Sequence, residues 1–270
     1  NLVSVIISKD YMRILLTNDD GYLAAGIRAV FAGLLAAGHD VIMIAPERNS
    51  SGAGQSIAVY NPISITQVEE RVYFVTSTPA DSVRLGLQYV YGNVDNYPDL
   101  VVSGVNMGEN VGEDVLYSGT VGAAREGTLH GIPALAFSTN GVSKETHNKF
   151  NHLESAARIV SELVAKLETN SKYLPDVFIW NINIPNRPYA EIKGYETTKL
   201  GLRPIHQPLI EQSTPRGNII YWQGHSSEPE EYEIGTDLDV FMKQEKVSIT
   251  PIEVLPTNYE QMPIVDALTS

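Results

Sequence analysis

Between Arg13 and Ala45 the chain alternates two kinds of segment that few architectures accommodate. "RILLT" (13–17) is a short apolar run that reads as a buried strand. "IRAVFAGLLAA" (27–37) is rich in Ala and Leu and reads as a helix closed by Gly38, and "VIMIA" (41–45) is a second apolar strand. The three form a βαβ unit. The alternation continues, with "RVYFVTST", "DLVVSGV", "ALAFST" and "DVFIWNINI" as strands and "TVGAAREGTLHG" as a helix closed by Gly131. Apolar residues from Leu153 to Leu167 recur at helical spacing. Strands alternating with helices in this way predict an α/β fold, with a mostly parallel sheet covered by helices on both faces.

From about Pro185 the rhythm changes. Prolines, charges and the alternating stretches "KGYETTKLGL", "GNIIYWQG" and "EKVSITPI" predict β-hairpins leaving the α/β body, with the acidic loop "SSEPEEYEIGTD" between two of them. The expected division is therefore an N-terminal extension (1–11), an α/β body (12–185), and a hairpin extension with a C-terminal oligomerisation segment (186–270). The tail "TPIEVLPTNYEQMPIVDAL" carries more apolar side chains than a small appendage buries alone, which points to a homodimer or homotetramer.

Composition excludes several roles. The 270 residues carry a formal charge of −13 with no basic stripe, which argues against duplex nucleic acid and anionic membranes as partners. The opening "NLVSVIISKDY" is too short to span a bilayer and lacks a targeting pattern. There is no cysteine, so thiolate chemistry and disulfides are absent, which suits a cytoplasmic protein. The His residues, including His39, His130, His147 and His225, have no metal-ligand spacing and read as surface or loop residues.

Chemistry concentrates at the predicted strand ends. In an open parallel sheet, ligands collect outside the carboxyl ends of the strands. There the first strand runs into "NDDG", placing Asp19 beside Asp20. Either acid alone reads as an ordinary helix cap, but two adjacent carboxylates repel unless a cation neutralises them. The second strand leads to "APERNSSGAG" and the "DLVVSGV" strand to Asn106. An Asp pair, a Ser and an Asn are oxygen donors suited to Mg²⁺ or Mn²⁺ more than to Zn²⁺. Ser118, Gly119 and Thr120 immediately precede a helix, where free amides and hydroxyls hold phosphate oxygens. A metal cluster beside such a cradle predicts phosphoester hydrolysis.

These residues carry a resemblance. "MRILLTNDDGYLAAGI", "APERNSSGAGQSI", "TPADSVRLGL", "PDLVVSGVNMGENVGEDVLYSGTVGAAREGTLHGIPALAFS", "NINIP" and "VSITPI" appear in order from Met12 to Ile252 and together resemble the SurE (survival protein E) nucleotidase family. The resemblance implies a Rossmann-like body with a hairpin extension and one divalent metal ion per subunit. It also implies hydrolysis of nucleoside 5′- and 3′-monophosphates, with cleavage of terminal phosphates from polyphosphate in some members. Carried over residue by residue, the metal ligands are Asp19, Asp20, Ser51 and Asn106. Asn110, Ser118, Gly119 and Thr120 meet the phosphate. The mechanism this suggests is attack by a metal-bound water, with Asp19 or Asp20 accepting its proton. Two departures stand out: Glu253 where several relatives have His, and Tyr22 where a small or aliphatic residue is common. Two alternatives differ in class: a haloacid-dehalogenase-like phosphatase with an Asp nucleophile, whose two acids are separated by one residue, and a non-catalytic nucleotide-binding module.

Overall fold

The structure is a computed structural model and describes residues 11–141, 151–203, 208–224 and 231–269. In chain order the elements are β1 (Arg13–Thr17), α1 (Ala25–Ala36), β2 (Asp40–Pro46), β3 (Ile65–Glu69), β4 (Val72–Val75), α2 (Pro79–Leu85), β5 (Leu100–Met107), α3 (Asp114–Tyr117) and α4 (Gly119–Leu129). There follow β6 (Ala134–Thr139), α5 (Leu153–Thr169), β7 (Ile179–Ile184), β8 (Tyr195–Thr197), β9 (Leu209–Ser213), β10 (Ile219–Gln223), β11 (Val247–Pro251) and α6 (Met262–Thr269).

Nine strands form one sheet in the order β3-β4-β2-β1-β5-β6-β7-β11-β8. The six strands from β4 to β7 are mutually parallel. Helices cover both faces because the central strands are apolar on both sides. Ile14 and Leu16 of β1 join a core with Ile27, Val30 and Leu34 of α1 and Ile159 and Val160 of α5. Leu15, pointing the other way, joins Val83 of α2 and Val121 of α4. Each such fully buried Leu or Ile contributes roughly 1.5–3 kcal/mol.

The predicted mostly parallel, two-face-covered α/β architecture is what the structure shows, and β9 with β10 forms a separate antiparallel pair. The later strands differ from expectation. Of the three stretches assigned to hairpins, only "GNIIYWQG" lies in one. β11 instead pairs antiparallel with β7, setting Ile249 opposite Ile182, and β8 pairs parallel with β11. Residues 186–270 thus supply two strands to the main sheet, because β7 would otherwise leave an open hydrogen-bonding edge. β3 pairs antiparallel with β4 at the far edge.

His39, expected on the surface or in a loop, lies in the loop before β2 but is buried, and its Nδ1 accepts the Met12 amide at 3.3 Å. His130 is half-buried, 3.3 Å from Glu126. Residues 1–10, His147, His225 and part of the acidic loop, all subjects of expectations above, lie outside the described residues. Tyr22 stacks on Phe74 with ring centroids 5.4 Å apart. Among the described residues no helix is long and apolar enough to cross a membrane.

Candidate active site

The carboxyl ends of β1 and β2 release the loops that carry the acids and the serines, and Asn106 is the penultimate residue of β5. At β5 the pairing with β6 slips: Ser103 faces Ala136 but Asn106 faces Ser138, so β5 holds one extra residue. Such a bulge re-aims the side chains beyond it. The Asn106 amide nitrogen donates to the Gly108 carbonyl at 2.7 Å, which leaves its side-chain oxygen as the end available to a ligand.

The two adjacent acids avoid one another by binding different elements. Asp19 turns toward α4, where its Oδ1 accepts the Thr120 hydroxyl at 2.7 Å and the Gly119 and Thr120 amides reach the same carboxylate. Asp20 turns toward β5, its Oδ2 accepting the Met107 amide at 2.9 Å and its Oδ1 the Asn49 side chain at 3.3 Å. Both carboxyls are raised above the usual range, and in both the main cause is burial. For Asp19 the Thr120 hydroxyl and then the backbone amides oppose it; for Asp20 the Met107 amide opposes it and the Asp19 charge adds to it. Desolvation, more than mutual repulsion, is therefore what strains this pair.

The start of α4 differs from the expected phosphate cradle in one respect. Ser118 caps the helix, accepting the Val121 amide at 3.1 Å, and its own O–H remains a donor at the cleft wall. Thr120, by contrast, is fully buried with its hydroxyl directed at Asp19, so that hydroxyl meets a protein carboxylate rather than the cleft. Gly119 permits the close approach. A Cβ there would lie 2.8 Å from the Asp19 Cβ and 3.0 Å from its Oδ2.

Asp19, Ser51, Asn106, Asn110 and Ser118 all line one cleft of about 300 Å³. Asp20 stands beside it through its bond to Met107, the neighbour of Asn106. Ser51 is exposed, with its amide bonded to Asn49 Oδ1 at 2.9 Å. Asn110 is locked from behind: its Nδ2 donates to Ser138 Oγ at 2.7 Å, its amide to Asn183 Oδ1 at 2.9 Å, and its carbonyl accepts both Asn181 and Asn183. Among the described residues no group of three or more His, Cys, Asp or Glu gathers to hold a metal. A hard cation at this cleft would draw on two carboxylates supplemented by the neutral oxygens of Ser51 and Asn106, a donor set that fits Mg²⁺ or Mn²⁺.

Sequence reasoning missed three groups on the wall. Arg203 sits 3.2 Å from Glu109 and 3.6 Å from Asp114, and its amide donates to Glu113 at 2.7 Å. It is the one cation among the described residues that line the cleft. The flanking acids hold its guanidinium charged against the opposing effect of burial. Glu109 and Asp114 were legible as acids in the "GENVGED" loop, whereas Arg203 arrives from beyond β8 and carries no local signal.

Comparisons with known proteins identify the family. A family model described as Survival protein SurE matches residues 14–207. The chain is 41% identical over 251 residues to a protein named 5′-nucleotidase SurE from Nitrosomonas eutropha, covering 93% of this chain and 96% of that one. The crystal structure of the SurE protein from Aquifex aeolicus superimposes with a TM-score of 0.81 at 35% identity, covering 96% of this chain and all of that one. With the family model spanning most of the chain, and both relatives matched over nearly their whole length, the protein belongs to the SurE family.

Proposed function

We propose that the cleft is the active site of a divalent-metal-dependent phosphomonoesterase that converts nucleoside monophosphates to nucleoside and phosphate. The observation that carries this reading is the convergence of Asp19, Ser51, Asn106, Asn110 and Ser118 on one cleft at the carboxyl edge of a parallel sheet. The name of the Nitrosomonas eutropha relative supports a 5′-nucleotidase. Action on 3′-monophosphates and on polyphosphate belongs to the same proposal.

Asp19, Asp20, Ser51 and Asn106 would hold one Mg²⁺ or Mn²⁺ per subunit. When bound, such an ion supplies Lewis-acid polarisation of phosphoryl oxygens and a nucleophile at neutral pH. The chain's own residues do the rest. The Ser118 hydroxyl and Asn110 orient the phosphoryl group, with Asn110 pre-set by its bonds to Ser138 and Asn183. Arg203 offsets part of the negative charge that Glu109 and Asp114 would present to an anionic substrate. Asp19, held through one oxygen by the Thr120 hydroxyl, or Asp20, held by the Met107 amide and the Asn49 side chain, receives the proton of the attacking water.

Phosphate release from 5′- and 3′-AMP, with chelator and then with Mn²⁺, tests the proposal. Release that appears only with the ion is expected, and metal-independent release or none at all would overturn it. Rapid quench with labelled substrate should leave no acid-stable phosphate on the protein. Stoichiometric label on Asp19 would indicate the Asp-nucleophile mechanism instead.

A homodimer or homotetramer is part of the same reading. The β9–β10 hairpin exposes Leu209, Ile210, Ile219, Tyr221 and Trp222, and α6 has no buried residue while exposing Ile264, Val265 and Leu268. Surface of this kind is ordinarily covered by a partner. A monomeric mass by light scattering at micromolar concentration would overturn the assembly.

A further inference from the structure

Thr120 is the second residue of α4, two positions after the cap Ser118, and a hydroxyl there would ordinarily face solvent or a bound anion. Here it has no solvent exposure and makes the 2.7 Å bond to Asp19 Oδ1, across 101 residues of sequence. Asp19, itself 3% exposed, has its carboxylate held by that hydroxyl, with the first amides of the helix directed toward it. It is also pressed from the side by Gly119, where a Cβ would sit 3.0 Å from Asp19 Oδ2 and 3.1 Å from Pro79 Cγ. Few torsional alternatives remain to the side chain. One oxygen is fixed to the protein, and Asp19 lines the cleft with what is left.

We propose that Thr120 is a positioning residue that fixes the Asp19 carboxylate in the orientation that receives a divalent cation, and that its hydroxyl does not touch the substrate. The inference rests on the metal site proposed above. Groups that hydrogen-bond a metal ligand from behind fix its orientation, and losing one typically weakens affinity about 10- to 100-fold. Thr120 differs in this from Ser118, whose hydroxyl stands on the cleft wall.

The test is Mn²⁺ binding without substrate, read as loss of the free-ion signal in electron paramagnetic resonance, on wild type, Thr120→Val and Thr120→Ser. Thr120→Val should bind Mn²⁺ about 10- to 100-fold more weakly, and Thr120→Ser, which restores the hydroxyl, should return to within about 3-fold of wild type. At saturating Mn²⁺ the KM of Thr120→Val for AMP should stay near that of wild type. If Thr120→Val does not fold, Thr120→Ala takes its place in the comparison. Wild-type Mn²⁺ affinity in the valine or alanine variant would overturn the positioning role while leaving the metal site standing, as would a serine variant no better than valine. A raised KM with unchanged Mn²⁺ affinity would instead place the hydroxyl on the substrate. Failure of wild type itself to bind Mn²⁺ would overturn the metal site, and this inference with it.

Discussion

Asp237 and Gly112 lie 125 residues apart in the sequence and are joined by a 2.8 Å hydrogen bond from the Gly112 amide to Asp237 Oδ2. The other carboxylate oxygen accepts the Gly201 amide at 2.8 Å and the Leu238 amide at 3.0 Å. One buried side chain thereby ties the cleft loop after β5 to the segment that delivers Arg203.

Asp237→Ala would leave those three amides without their acceptor in a site closed to water. A buried donor left unpaired costs roughly 1–3 kcal/mol, and partial relaxation keeps the sum on the order of 3 kcal/mol. Urea melts should show that loss. Phosphatase activity should also fall, because Arg203 and loop 108–112 lose their common anchor. Unchanged stability would mean that other contacts hold the two segments together.

Gly122 packs backbone against backbone, since a Cβ at this position of α4 would lie 2.3 Å from the Gly54 carbonyl oxygen. Gly122→Ala must push the 50–54 loop, and Ser51 with it, off the helix. A loss of about 1–3 kcal/mol is expected, together with weaker Mn²⁺ binding, measured by melts and by ion titration. A change in stability with metal affinity untouched would separate Ser51 from the metal site.

His39 makes stability depend on pH. Burial lowers its pKa below the ordinary 6.5, with the Glu168 charge opposing, so the folded state prefers the neutral ring that accepts the Met12 amide. For a base with a depressed folded pKa, the stabilisation is complete above about 6.5 and is lost as the pH falls toward the lower folded value. Melts of wild type between pH 8 and 5 should show this acid loss. His39→Gln, whose side-chain oxygen can accept the same amide, should flatten it. An identical acid limb in the variant would assign the loss to other groups.

Asp20→Asn separates a metal ligand from a loop-building acid. Burial raises the Asp20 carboxyl above its usual range, so its ionised form costs stability at neutral pH, while an Asn oxygen can still accept the Met107 amide. In chelator the variant should be as stable as wild type or slightly more so. With Mn²⁺ its ion affinity should fall by at least about 10- to 100-fold, and most activity with it. A variant less stable in chelator but normal in Mn²⁺-dependent turnover would show that Asp20 builds the loop only.

What the chain determines locally was legible without coordinates. Apolar runs such as Arg13–Thr17 and Ile179–Ile184, and the helical spacing from Leu153 to Leu167, follow from side-chain periodicity and burial, which act over a few residues. They were enough to predict the mostly parallel sheet and the edge where "NDDG", Asn106 and Ser118 emerge. Three other features had no local signal: β11 joining β7, Arg203 entering the cleft, and the Thr120 hydroxyl turning to Asp19. Each depends on which distant segment arrives at an open hydrogen-bonding edge, an acidic wall or a buried carboxylate. Sequence marks the start of α4 at Ser118, but only the packing of that helix against the end of β1 decides whether its first amides and hydroxyl face a ligand or Asp19. The physical reason is that desolvation and hydrogen-bond completion are settled by neighbours in space, and for Asp19 the decisive neighbour is 101 residues away.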